Sequence, residues 1–367
     1  MKTNNHRPLP EALCPYAIGW DVGGAHLKAV QVNAAGHVIA VSQVYCPLWR
    51  GLAVLDQAVD QVLAEFSLAP LGIKHFVTMT AELADIFPDR HSGVVQITQL
   101  LQGKLFAEIL FYAGYQTWLP PSLVQVSTAN IASMNWLASV ELSAKNKSPA
   151  LFVDVGSTTT DLALISHGKP QLMGFNDAMR LQTDELIYTG VVRTPLMALA
   201  QKIAFAGAKI NLAAEHFATT ADVYTLTGDL PAAENQAETA DAGDKSMTAC
   251  ARRIARMVGR DAEDAPLTVW QDLAQAFKDI QLQQIKQAIQ RQRACLDEDQ
   301  WGLSLMGAGV GDFLLPSLAQ QLNLPYQSIA DFIQPASPLI NPSQMRLAAV
   351  CFPAYAVAVL GVAHAQT

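Results

Sequence analysis

The sequence predicts an α/β chain of two domains built on a similar plan, and three observations carry that prediction. An apolar run, an Asp-Val-Gly turn of small or hydroxyl residues and a second apolar run occur together twice, in AIGWDVGGAHLKAVQV from Ala17 and in LFVDVGSTTTDLALI from Leu151. Each copy continues through another turn into a third strand-like run. The 367 residues exceed the length at which a single core usually stops growing, so each copy has enough chain for a core of its own.

In the first half, strands are predicted from Ala17 to Asp21, Leu27 to Asn33 and Val38 to Tyr45, the last two joined by the turn Ala35-Gly36. Leu52, Leu55, Val59, Val62, Leu63 and Phe66 then follow helical spacing, and IKHFVTMT returns as a strand. A helix is expected within TQLLQGKLFAEILFYAG, a short strand near QTWLP and another helix in ANIASMNWLASVEL. The polar breaker SAKNKS puts the hinge near Lys145. The first domain is therefore expected over 1–145, completed by a C-terminal helix at 340–367, and the second over 146–339.

The second half repeats strand, hydroxyl-rich turn, strand, the turn His167-Gly168-Lys169-Pro170 and strand. Gly228 to Met247 is acidic, rich in alanine and without apolar periodicity, as a mobile loop would be. Arg252, Arg253, Arg256 and Arg260 follow on a helix. They read either as a cluster closing on an anion or as an ordinary solvated face. An amphipathic helix in WQDLAQAFKDIQLQQIKQAIQRQRACL precedes LSLMGAGVGDFLLPSLAQQL, which reads as strand, glycine turn and helix.

Composition removes several function classes. A formal charge of -8 lacks the basic footprint that nucleic acid demands, so no nucleic-acid partner is expected. Cys14, Cys46, Cys250, Cys295 and Cys351 form no CxxC pair or zinc-ligand spacing and read as reduced thiols. The N-terminal stretch MKTNNHRPLPEALCPYA has no apolar segment of the signal-peptide kind, which predicts a cytoplasmic protein. Leu347 to Ala363 is apolar but contains Pro353 and Gly361, and is expected to be a buried helix with no membrane partner.

The turns carry the chemistry. Glycines at the tight positions let backbone N–H groups converge on a phosphate, and hydroxyl side chains add donors. Gly156, Ser157, Thr158 and Thr159 form such a set, with Thr160 behind them; Gly23 and Gly24 are the poorer counterpart in the first copy. An ionised acid ending each strand, Asp21 or Asp154, repels phosphate but positions Mg2+ through water. Both are the candidate metal residues, and two such acids would flank a diphosphate. Gly307, Gly309 and Gly311, with Asp312, form a third glycine turn suited to close approach by a ligand. Plain Asp-Gly hairpins are the structural alternative.

The three turns together resemble the phosphate-1, phosphate-2 and adenosine motifs of the sugar kinase, Hsp70 and actin superfamily. That resemblance implies two ribonuclease-H-like (actin-like ATPase) domains with a ligand cleft between them. DVGGAHLKA, CPLWRGL, TMTAELADIFPDRHSGV, DVGSTTTD, DELIYTGVVRTP, YTLTGDL, RMVGRD and GAGVGDFLLP, in that order, are similar to blocks of hydantoinase/oxoprolinase-like proteins linked to tetrahydromethanopterin one-carbon metabolism. This narrower resemblance implies a Mg2+-dependent transferase of methanofuran-type biosynthesis. Its substrates would be a small-molecule aminomethylfuran-methyl diphosphate and a phenolic, γ-glutamylated tyramine- or tyrosine-type acceptor, and diphosphate would be released. The broader superfamily leaves an ATP-dependent kinase, an amide hydrolase of the hydantoinase/oxoprolinase kind and a non-catalytic nucleotide sensor as alternatives.

In the transferase reading Lys28 neutralises leaving-group charge; the competing assignment is a strand-edge surface lysine. Asp161 is a base, a second metal partner or a cap of the turn. Glu82 or His91 is the candidate base for the phenol, and Arg90 the partner of an acceptor carboxylate, set against an ordinary ion-paired surface loop. Asp184 and Glu185 are candidates for holding a cationic aminomethyl group, with Tyr188 and Arg193 in the same block; core or capping roles compete. The first turn is poor in hydroxyls and the second rich. That asymmetry favours a diphosphate held as a leaving group over a conventional ATP clamp.

Overall fold

Period-two apolar runs separated by Gly-containing turns give sheets, and the computed structural model, which describes residues 13–66, 72–294 and 303–367, contains two large ones and a two-stranded one among those residues. Cys295 and the N-terminal twelve residues lie outside the described residues. The chain divides into one unit of Met1–Lys145 with Ile329–Thr367 and another of Asn146–Ser328. Residues 329–339, assigned above to the second domain, thus group with the first unit.

The first unit holds β1 (Ala17–Val22), β2 (His26–Val32), β3 (Val38–Tyr45), β4 (Lys74–Met79), β5 (Ile109–Tyr112) and β6 (Trp118–Leu119), in the order β3-β2-β1-β4-β5-β6. The first three strands are antiparallel, and β4 and β5 run parallel to β1. Ile18, Trp20 and Val22 point into a core with Leu55, Val59 and Val62 of the helix Leu52–Glu65 and Val94, Ile97 and Leu101 of the helix Arg90–Lys104. Gly19 lies on the opposite face. A Cβ there would sit 2.0 Å from the Ala354 carbonyl oxygen, so the helix Phe352–Ala365 rests directly on β1.

This helix is buried on nearly every side, as its uniformly apolar sequence requires. No single helix among the described residues is long and apolar enough to cross a membrane. The pair Pro342–Val350 and Phe352–Ala365 meets that test only jointly and is bent by 88°.

The helix expected in TQLLQGKLFAEILFYAG starts earlier and stops sooner. Asp89 caps it at Arg90 by accepting the Ser92 N–H at 2.7 Å, and it ends at Lys104. Ile109–Tyr112 instead pairs with β4, where its β-branched, aliphatic and aromatic side chains suit a pleated surface better than a helix end. ANIASMNWLASVEL is likewise broken. Thr128–Ile131 is a single turn, Ser133 adopts φ 54°, and the longer helix is Asn135–Ala144.

In the second unit β7 (Ala150–Val155), β8 (Thr160–Ser166) and β9 (Lys169–Gln171) repeat the opening strand order of the first. With β10 (Leu186–Ile187), the separate hairpin β11 (Lys202–Phe205) and β12 (Ala208–Asn211), and then β13 (Ser304–Ala308) and β14 (Tyr326–Ser328), they complete its strands. The main sheet runs β10-β8-β7-β13-β14, with β13 parallel to β7. The 28-residue helix Leu267–Ala294 buries Trp270, Leu273, Phe277, Ile285 and Ile289 and packs on the helix Thr220–Thr227. A capping box of Thr219 and Asp222 starts that shorter helix, and Gly228 ends it.

The arginine cluster is split. Arg252, Arg256 and Arg260 are exposed, while Arg253 is buried and donates to Asp222 Oδ1 at 2.8 Å, Asp241 Oδ1 at 3.0 Å and the Asp244 carbonyl at 3.1 Å. A buried guanidinium needs such partners, because its charge has lost water. Through these bonds it fastens the acidic segment 228–247, expected above to be mobile. Lys245 adds a bond to the Asn235 carbonyl.

Trp20 donates its indole N–H to His75 Nδ1 at 3.0 Å inside the first unit. Burial pulls His75 down from 6.5 to about 4, which keeps the ring neutral and Nδ1 an acceptor. The folded pKa lies below the unfolded one, so the unfolded chain gains protons first as pH falls. Stability of the first unit is expected to drop between pH 6.5 and about 4, by about 3 kcal/mol in all. His75→Gln keeps an acceptor for Trp20 but cannot titrate. Melting curves across that pH range should show a shallower fall for the variant, and parallel falls would contradict the assignment.

Candidate functional site

The second Asp-Val-Gly turn is held from behind by backbone bonds. Gly156 N–H donates to the Thr159 carbonyl at 2.8 Å and closes the turn. The Gly156 carbonyl accepts from Val191 N–H at 3.0 Å, and the Ser157 carbonyl accepts from Val192 at 3.1 Å and Arg193 at 2.8 Å. Gly190 makes this clamp possible. A Cβ there would lie 2.4 Å from Ser157 C and Thr158 N, so only a bare Cα can approach so closely.

Gly190 is itself fixed. Its carbonyl accepts from Thr220 Oγ1 and Gln281 Nε2, both at 2.9 Å, and its N–H donates to Thr194 Oγ1 at 2.8 Å. Thr160 is buried and its hydroxyl donates to the Thr189 carbonyl at 2.7 Å. Ser157, Thr158 and Thr159 are half-buried, and their hydroxyls make no hydrogen bond among the described residues. The turn therefore presents three hydroxyls from a backbone fixed on its other side.

Asp154 ends β7 and stands directly opposite Asp161 of β8. Arg180 supplies the charge that answers Asp161. It is buried, donates from one guanidinium nitrogen to Asp161 Oδ1 at 2.8 Å and from another to the Glu185 carbonyl at 2.8 Å. Burial raises the Asp161 carboxyl above its ordinary range, with Arg180 pulling the other way without cancelling it. Asp161 is thus committed to an ion pair within the unit. Asp154 stays half-buried at the strand end.

The third glycine turn packs on the same strand end. Gly311 N–H donates to the Val155 carbonyl at 2.8 Å. Gly309 has φ +88°, and a Cβ there would meet Asp154 Oδ1 at 2.2 Å. Added Cβ atoms at Gly307 and Gly311 would meet Tyr326 Oη at 2.6 Å and Val155 Cγ1 at 2.5 Å. Protein atoms thus occupy the Cβ side of each of these glycines. Asp312 begins a short turn, its N–H donating to the Gly309 carbonyl at 3.3 Å.

In the first unit, Gly23 N–H donates to the His26 carbonyl at 3.0 Å, and the carbonyls of Gly24 and Ala25 accept from Leu48 and Cys46. Nothing stands within 4 Å of a Cβ placed on Gly24. Asp21 is 3% exposed, and Lys28, its register partner, reaches it at 3.8 Å. The row continues to Thr78 on one side and Gln43 on the other. Cys351 caps the start of the helix Phe352–Ala365 and donates its thiol to Gln43 Oε1 at 3.7 Å; burial pushes that thiol up to about 12. Lys28 therefore answers the charge of Asp21 within the sheet, and is no detached surface lysine.

The remaining candidates separate. Glu82 is 1% exposed and accepts from Ser133 Oγ at 2.7 Å, and Gly93 packs its helix against it. Arg90 and His91 open the helix Arg90–Lys104, where His91 Nδ1 meets Thr128 Oγ1 at 3.0 Å. Asp184 is ion-paired with Arg291. Glu185, read as a holder of a cationic group, is instead a buried fastener, accepting from Met173 N–H, Gly174 N–H and Thr183 Oγ1. Gly190, Arg180 and Thr194 escaped sequence reading. Only the block TGVVRT, with its single Gly190, gave any local signal.

Magnesium prefers an oxygen shell rich in water, completed by one or two carboxylates and substrate phosphate. Asp154, half-exposed beside three hydroxyls, fits such an ion, which it would hold through water. Asp21 fits less directly, since Lys28 is already its partner. No group of three or more His, Cys, Asp or Glu able to cage a metal occurs among the described residues.

A model of the hydantoinase/oxoprolinase family matches residues 75–339. The (4-{4-[2-(gamma-L-glutamylamino)ethyl]phenoxymethyl}furan-2-yl)methanamine synthase of Methanocaldococcus jannaschii is 28% identical over 247 residues, 67% of this chain and 72% of that protein. The same synthase of Methanococcus vannielii is 27% identical over 177 residues, 47% of this chain and 75% of its own length. Among solved structures, nucleotide-free acetone carboxylase matches with a TM-score of 0.52 at 9% identity, over 82% of this chain and 66% of that one. With the two mixed sheets, this likeness shows the fold of the actin-like ATPases, two α/β lobes each built on its own sheet.

Gly309→Ala tests the packing of the third turn on Asp154. The new Cβ must adopt a left-handed backbone and displace the Asp154 carboxylate. Denaturation of the second unit should show a loss of about 2 kcal/mol or more. An unchanged midpoint would mean that the turn yields freely.

Proposed function

The chain belongs to the hydantoinase/oxoprolinase family, and from that premise we propose that it is a magnesium-dependent transferase that releases diphosphate. It joins an aminomethylfuran-methyl diphosphate to the phenol oxygen of a γ-glutamylated tyramine- or tyrosine-type acceptor, the reaction of methanofuran-type cofactor assembly. The carrying observation is the clamped turn, whose Ser157, Thr158 and Thr159 hydroxyls make no bond among the described residues. The relatives named for the ether product support the choice of reaction.

The chemistry suits such a turn. The phenol oxygen forms a bond to the furfuryl carbon, and the bond from that carbon to the diphosphate oxygen breaks. The electron pair leaves with diphosphate, and the phenolic proton passes to water. Charge develops on the leaving group, so dense donors there matter more than a strong nucleophile. Ser157, Thr158 and Thr159 donate to the diphosphate from the turn that Gly156 closes, and Arg193 carries a guanidinium on the segment that clamps them. In the first unit Gly23 and Gly24 hold the matching places in the first turn, where Lys28 stands beside Asp21. Bound magnesium would be held through water by Asp154 and would supply Lewis-acid stabilisation of the diphosphate.

The purified protein, given magnesium, the furan diphosphate and γ-glutamyltyramine or γ-glutamyltyrosine, should release diphosphate and form the ether. Asp154→Asn should keep its melting temperature and lose about 100-fold or more in turnover. Turnover that requires ATP in place of the furan diphosphate would replace this reading with a kinase or amide hydrolase, and release from none of these substrates would end it.

A further inference from the structure

A hollow of ≈ 250 Å³ in the second unit is bordered by Asp184, Tyr188, Thr189, Gln284, Gln287 and Arg291. One side is the strip that follows the helix Asp177–Gln182, and the other is the last turns of the helix Leu267–Ala294. Its charged feature is the ion pair of Asp184 with Arg291, which joins the two sides. Asp184 holds φ 55°, a left-handed conformation that few residues other than glycine adopt, and Asp is among those that tolerate it. Tyr188 is 55% exposed and borders the same hollow.

A carboxylate and a guanidinium held side by side match the two charges of an amino-acid zwitterion. A guanidinium has five N–H donors and a carboxylate about four acceptor sites, so each can serve its partner and a ligand together. The hollow is smaller than the about 300–1,000 Å³ that drug-sized ligands fill, and suits a compact head group better than a whole substrate. It is also close to the turn along the chain. Thr189 borders the hollow, and the next residue, Gly190, lies against Ser157 and Thr158.

We propose that this hollow seats the amino-acid head of the acceptor, with the α-ammonium on Asp184, the α-carboxylate on Arg291 and Tyr188 against the connecting chain. The assignment rests on the transferase reading, in which a γ-linked glutamyl group leaves both α charges free. It adds a specificity site that reads the head of the acceptor at a distance from the phenol that reacts. Asp184 and Arg291 are positioning residues here, since neither touches the reacting atoms.

Calorimetric titration of γ-glutamyltyramine and of plain tyramine into the full chain tests the seat without turnover. Wild-type protein should bind γ-glutamyltyramine at least about tenfold more tightly than tyramine, and Arg291→Met should abolish the difference while its melting temperature holds. In the diphosphate-release assay the same variant should raise KM for γ-glutamyltyramine about tenfold with kcat nearly unchanged, and leave KM for tyramine as it was. Asp184→Asn should act only on acceptors with a free α-amino group, so N-acetyl-γ-glutamyltyramine should not register the change. Diphosphate release with equal effects on both acceptors overturns the seat and leaves the transferase reading intact. Head-dependent binding without any release keeps the seat and ends that reading, and no preference for the head in wild-type protein overturns the seat.

Discussion

The buried ion pair of Arg180 with Asp161 is the interaction on which the clamped turn of the second unit depends. A buried guanidinium cannot be placed loosely. Its second bond, to the Glu185 carbonyl, fixes the loop that follows, and the Glu185 side chain then ties Met173, Gly174 and Thr183 into one knot. The chain leaves that knot as β10 and reaches Gly190–Arg193 with its direction set, which lets this stretch bond to the carbonyls of Gly156 and Ser157. One buried ion pair is thus linked through backbone bonds to the turn that bears three hydroxyls.

The first unit answers a buried acid with fewer parts. Asp21 has no acid opposite it, and its register partner Lys28 supplies the compensating charge directly. No donor-rich loop grows from this arrangement, and the turn of Gly23 and Gly24 carries no hydroxyl. Duplicated strand order has therefore produced two unequal turns, one with its acid neutralised within the sheet and one with its acid left half-exposed beside donors.

Strands, turns and the repeat were legible because they depend on neighbours in sequence. Alternation, Asp-Val-Gly and the hydroxyl run all fall within about fifteen residues. Legibility ended where long-range contacts decide. Arg180 looks like any helix arginine until β8 brings Asp161 to it, and Glu185 looks like a site acid until its carboxylate meets the loop it fastens. Glu82 reads as a base in an acidic stretch, yet Gly93 and Ser133, distant in sequence, enclose it. Arg253 belongs to a basic run, and only its acidic partners on Asp222 and Asp241 show that it faces inward. The end of the helix at Lys104 was hidden because pairing with β4 claims the next apolar run.

The helix Phe352–Ala365 lies on the face of β1 that bears Gly19, and the Val38 carbonyl accepts from Ala336 N–H, so the first unit is made from both ends of the chain. This sets an order of events during synthesis. β1, β2 and β4 leave the ribosome before the second unit, yet the helix that covers one of their faces is translated after it. The second unit is continuous and can complete itself as it emerges; the first carries an uncovered apolar surface until that helix follows. Loss of the helix therefore uncovers strands made before the second unit, and the nascent chain is most open to aggregation or chaperone capture while that unit is being made.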